Sequence, residues 1–164
     1  MIRLSNLFTL SFLLSIQILV GQIPTLVPQL TEAENFDIKG FHLDLRIQVM
    51  KPAALHLFAK QLVDFGINTL VMEWEASYPY ETHAVISNEL SYTNEEIESF
   101  IAYCDSIGLD VIPLQQCFGH VEYILRHDRY RELEEDPKQI SQLCPREFEL
   151  NKALFTDLFS EFNC

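Results

Sequence analysis

The chain has 164 residues, 48% of them hydrophobic, with 24 acidic against 11 basic side chains and a formal net charge of -13. That length is a prior for one domain or part of one. Phosphate backbones and anionic membrane surfaces are held by clustered Lys and Arg, so the charge argues against both; a neutral ligand such as a sugar is compatible with it.

Residues 1–21 combine a basic start at Arg3, an apolar stretch broken only by Ser, Thr and Gln, and a small residue, Gly21. They read as a secretory signal peptide, so export is expected. An uncleaved membrane anchor is the alternative. No second stretch is long and apolar enough to span a bilayer. Residues 22–37 carry two prolines without a clear period and read as a linker.

An alternation of strands and helices begins at residue 38. "KGFHLDLRI" is strand-like, and a helix opens at Pro52 with Leu55, Phe58, Leu62 and Phe65 at helical spacing, stopped by Gly66. "INTLVMEWE" is the next strand. Thr93 and Glu96 form a capping box ahead of Ile97, Phe100, Ile101, Cys104 and Ile107, and Gly108 ends that helix. "LDVIPLQQ" is a third strand, and a short helix is expected near residues 120–127. In the charged run "RHDRYRELEEDPKQ", His127, Asp128 and the acidic stretch "ELEED" read as a solvated face, and the apolar spacing from 148 to 162 predicts a further helix. Strands apolar throughout belong to parallel sheets covered by helices. Three β/α units and no fourth strand predict an α/β fold, either a small open domain or the front part of a (β/α)8 barrel, which needs about 250 residues.

Four cysteines, Cys104, Cys117, Cys144 and Cys164, have no C-x-x-C metal spacing and in an exported chain could form two disulfides. Cys104 on an apolar helix face and Cys117 at a strand end read instead as buried thiols.

Functional groups in parallel α/β folds gather at the C-terminal ends of strands. Strand one offers His42 and Asp44 on one face, with Arg46 beyond. Strand two offers Glu73 and Glu75, followed by Tyr78, Tyr80 and Glu81, and strand three offers Gln115, Gln116 and His120. Each has a plain alternative: the glutamates as solvated mouth residues, His42 in the core, Asp44 paired with Arg46, His120 packed at a helix start, the tyrosines as loop packing. Trp74 suits either packing or stacking on the apolar face of a sugar. A divalent metal held by His42, Asp44, Glu75 and His120 would suit a hydrolase, although no tight H-x-H spacing accompanies these residues; no metal or cofactor is expected.

"KGFHLDLR", "GINTLVMEWEASYPYE", "GLDVIPLQQCFGHVEYILRH" and "CPREFE", in this order, resemble the first half of the catalytic barrel of glycoside hydrolase family 20, most of all its hexosaminidase D-like branch. The resemblance implies a partial (β/α)8 barrel over residues 38–164. It also implies hydrolysis of N-acetylglucosamine- or N-acetylgalactosamine-terminated glycans by a retaining mechanism in which the substrate's acetamide is the nucleophile. By matching positions, it implies that His120 orients a catalytic Glu and hydrogen-bonds Glu75. Lys39 stands where the family has a sugar-binding Arg and loses that residue's planar fork. Asp44 matches the family's strand-one Asp, and Glu73 and Trp74 would border the substrate. The family's catalytic Asp-Glu pair follows a fourth strand, and no Asp-Glu dipeptide occurs in the 164 residues. The chain alone is therefore expected to be inactive, and a non-catalytic sugar-binding remnant is a further reading.

Overall fold

The computed structural model describes residues 36–162, so the signal peptide expected at 1–21 and nearly all of the linker expected at 22–37 lie outside the described residues. Three parallel strands, β1 (Gly40–Asp44), β2 (Thr69–Glu73) and β3 (Asp110–Leu114), form one sheet in the order β1-β2-β3. Their registers align Gly40 with Thr69 and Asp110, and Asp44 with Glu73 and Leu114. The two crossovers are α1 (Pro52–Asp64) and α2 (Asn94–Ser106). This is the fold class expected from the sequence, and every strand ends on the same side.

Side chains alternate across each strand, so Leu70 and Met72, both 0% exposed, face the helices with Leu55, Leu62, Phe100 and Leu109. β2 is nearly all buried, whereas β1 and β3 are largely exposed or intermediate, because among the described residues each pairs on one side only. α1 buries Leu55, Ala59 and Leu62. Phe65 does not join that stripe and is 84% exposed, because the helix has already ended at Asp64. The chain turns there through Gly66 at φ 81° and, after α2, through Gly108 at φ 74°, a region that favours glycine.

The capping box of α2 is fully formed, with Thr93 Oγ1 accepting from the Glu96 N–H and the Glu96 carboxylate accepting from the Thr93 N–H at 2.9 Å. Thr93→Ala should lower stability by about 1 kcal/mol in urea denaturation. A loss below a few tenths would mean that packing alone sets this helix start.

The segment after β2 is long but anchored. The Glu161 carboxylate accepts from the N–H groups of Glu81 (2.6 Å) and Thr82 (3.0 Å). His83, buried, lies between the Tyr130 hydroxyl (2.7 Å) and Asp157 (3.3 Å). Glu161 and Asp157 belong to the last helix, α4 (Phe148–Ser160), and its C-terminal cap, so that helix straps the loop to the body.

Two expectations change beyond β3. The short helix is a single turn, α3 (Glu122–Leu125), so His120 precedes it. The charged run exposes Asp128, Glu132, Glu135 and Asp136 as expected but is not unstructured: after a 3-10 turn at Asp128–Leu133 that buries Leu133, it leads into an antiparallel hairpin, β4 (Glu134–Asp136) and β5 (Gln139–Leu143), whose Leu143 is 2% exposed. Its acidic residues surround a few apolar anchors, and β5 also meets the segment Phe118–Val121, which lies outside the local window that periodicity reads. Cys104, Cys117 and Cys144 are free thiols.

Candidate active site

Past the C-terminal ends of β1 and β2 the polar side chains converge on Arg46. Its guanidinium lies 3.0 Å from Asp44, 3.5 Å from Glu73, 3.4 Å from Glu75 and 3.3 Å from Nδ1 of His120. Period-two alternation brings Arg46 to the face of His42 and Asp44, and the aligned register places Asp44 beside Glu73.

Glu73 is 1% exposed, yet both oxygens are engaged. Nε2 of His42 donates to one at 2.8 Å and the Gln116 amide to the other at 2.9 Å. Glu75 is also buried, and its Oε1 makes no hydrogen bond, only the ion pair with Arg46. Burial pushes its carboxyl up to about 8, Arg46 opposes that rise, and the neighbouring Glu73 and Asp44 charges reinforce it. When protonated, Glu75 hydrogen-bonds Glu73.

Among the described residues, the non-glycine positions with positive φ are two, Glu75 at 47° and His120 at 57°. L-residues occupy this region at a cost, and such positions cluster at functional sites. The cause at His120 is visible. Gly119 bridges Gln142, while the Val121 N–H donates to Ser141, so two residues span one step of the partner and His120 is the extra residue of a β-bulge. The bulge turns its imidazole toward Arg46. Guanidinium offers only donors, so Nδ1 accepts and the proton of the neutral ring sits on Nε2.

A second layer continues from β3. The Tyr80 hydroxyl donates to Oε1 of the Gln115 side chain at 2.9 Å, and the Gln115 side-chain amide donates to the Tyr123 hydroxyl.

The expected residues divide accordingly. Glu73, Glu75, Asp44 and His120 come together. The direct Glu75–His120 hydrogen bond does not form; Arg46 stands between them and contacts both. Trp74 is 1% exposed and faces the helices, packed against Tyr92, Tyr78 and Phe100 at ring separations of 5.7, 6.3 and 6.4 Å. It cannot stack on a sugar, since alternation turns it away from the glutamates flanking it. Lys39 precedes β1, at the opposite end of the strand from Asp44, where its backbone pairs with Asn68 and Thr69. Arg46, expected only as a residue beyond Asp44 and its possible ion-pair partner, makes that pair and is also the central residue of the cluster. The signal for it was its two-residue offset from Asp44.

Asp44, Glu73 and Glu75 present oxygens within 4.8 Å of one another, a donor set suited to a hard cation. The guanidinium of Arg46 supplies positive charge to the same oxygens. The four-ligand metal set does not assemble, because His42 is bonded to Glu73 and His120 meets Arg46.

No family model matches the chain. It is 31% identical over 121 residues to hexosaminidase D of Bos taurus, covering 73% of this chain and 35% of that protein. The chain thus spans about a third of that relative's length. Its structure is similar to the GH20 β-N-acetylhexosaminidase of Streptomyces coelicolor A3(2), with a TM-score of 0.65, 16% identity, and coverage of 77% of this chain and 30% of that one. A mutant Streptomyces plicatus β-hexosaminidase in complex with product (GlcNAc) gives the same TM-score, identity and coverage. At these identities the structural likeness establishes the fold, that of a partial barrel.

Proposed function

Because this chain is a partial domain of the glycoside hydrolase family 20 hexosaminidase type, we propose that it supplies the first three β/α units of a β-N-acetylhexosaminidase. The substrates are glycans ending in N-acetylglucosamine or N-acetylgalactosamine, in keeping with the GlcNAc bound to the Streptomyces plicatus protein. The observation that carries this reading is the pair of strained residues, Glu75 and His120, meeting at Arg46 on the strand ends.

In this reading His120, Arg46, Glu73 and Glu75 support an acid. His120 presents Nε2–H to the carboxyl that protonates the leaving oxygen, and Arg46 fixes its tautomer while balancing the buried glutamates. The acid and its neighbouring Asp come from residues beyond this sequence, which contains no Asp-Glu dipeptide. Export is part of the proposal and is supported by the charged start and apolar run of residues 1–21; secreted protein should begin near Gln22 by N-terminal mass analysis.

Chromogenic N-acetyl-β-glucosaminide and galactosaminide test the activity. The chain alone should cleave neither, and protein extended through a fourth strand ending in Asp-Glu should cleave at least one. In that longer protein His120→Ala should lower kcat more than it changes KM. A folded, extended protein that cleaves neither sugar would refute the proposal.

A further inference from the structure

Cys117 and Cys144 lie on the two segments whose pairing creates the His120 bulge. Gly119 bridges Gln142, and the Leu143 N–H donates to the Phe118 carbonyl at 3.1 Å. Both pairs obey one antiparallel register, each step forward on one segment matching a step back on the other. Continued one step past the bend at Phe118, the same register points to Cys117 lying opposite Cys144.

The hydrogen-bond pattern specifies which kind of pair this is. Antiparallel pairs alternate between those that exchange backbone bonds and those that do not. Phe118 and Leu143 carry the bond, so Cys117 and Cys144 fall at a non-bonded position. Consistent with this, the Cys144 N–H turns the other way and donates to the Leu133 carbonyl at 2.7 Å. At such positions Cα atoms are about 4.5 Å apart and side chains share a face, inside the roughly 4.4–6.8 Å window of disulfides.

We propose that Cys117 and Cys144 form a disulfide that staples the β4–β5 hairpin to the end of β3 and fixes the bulge carrying His120. The strand-end position of Cys117 suggested a buried thiol; the register gives it a partner, and both residues are partly exposed. The oxidant is a small-molecule disulfide such as oxidised glutathione. One cysteine thiolate attacks it, forming a mixed disulfide and releasing one reduced thiol. The second cysteine thiolate then displaces the other, so two protein thiols are oxidised while one disulfide is reduced to two thiols. Cys104 stays reduced: it is 0% exposed under the sheet, and burial pushes its thiol up to about 12.

The pairing is a property of the fold and is tested apart from export and from glycosidase activity. The purified full chain is incubated with oxidised glutathione at about pH 9, against the upward push that burial gives the Cys117 thiol, then digested without reduction and mapped by mass spectrometry. A linked Cys117–Cys144 peptide pair, lighter by about 2 Da than its reduced parts, is expected. Reduction should lower the thermal midpoint by roughly 6–12 °C, and Cys117→Ser and Cys144→Ser should each abolish that difference. Two cysteines that both remain alkylatable after oxidation would overturn the proposal. So would linkage of either to Cys104 or Cys164, or between chains. The mapping needs no variant, so it decides even if a substitution fails to fold.

Discussion

Trp74→Ala is expected to destabilise the domain by about 3–5 kcal/mol, the range for deleting a buried aromatic side chain and leaving a cavity. The indole is among the largest fully buried groups, lying beside Leu55 of α1 and Ile97 and Phe100 of α2. Its edge-to-face contacts with Tyr92, Tyr78 and Phe100 add specific aromatic stabilisation, about 0.5–1.5 kcal/mol per pair. Domains hold only about 5–15 kcal/mol in total, so this one change removes a large share. Trp74→Phe, which keeps a ring in place, should cost markedly less. Urea denaturation of the three proteins measures the series. An alanine variant as stable as the parent but impaired in sugar binding would return Trp74 to the substrate side.

Folding stability should fall as pH rises from about 4.5 to about 8, through Glu75. Its carboxyl is raised to about 8 in the folded protein, first by burial, against an ordinary value of 4.5. Between these values the unfolded chain has released the proton while the folded chain still holds it. The unfolded state therefore binds fewer protons, and stability declines with pH. The contribution is fully present below 4.5 and is lost as pH passes the folded value. The slope cannot exceed about 1.4 kcal/mol per pH unit, giving a few kcal/mol across the window. Other groups titrate over the same range, so the decisive measurement is the difference between the parent and Glu75→Gln. The Gln variant should have the flatter curve, since it mimics the neutral carboxyl throughout. Parallel curves would mean that Glu75 is ionised in the folded protein, with Arg46 outweighing desolvation.

These expectations bear on the site's design. Glu73 keeps its charge environment satisfied by His42, Gln116 and Arg46, whereas Glu75 has a buried oxygen without a hydrogen bond. A buried acid lacking full solvation is costly to fold, and together with the positive φ of Glu75 it marks a place where local stability is given up.

The sequence by itself determined the elements whose causes are local. The capping box at Thr93 and Glu96, the stops at Gly66 and Gly108 and the apolar strand bodies each depend on neighbours a few residues away, so spacing was enough to find them. The same alternation held the answer for Trp74: flanked by Glu73 and Glu75 on one face, it had to point to the other. Strand direction likewise put Lys39 at the far end of β1. What the sequence could not reveal were partnerships between distant residues. Arg46 meets His120 across 74 positions, and the bulge that aims His120 exists because residues near 141 pair with residues near 120. The hairpin that provides this pairing is written mostly in charged residues, with too few apolar positions to show a period. Local periodicity fixes which way each element faces, but only folding brings those faces within hydrogen-bonding reach of one another.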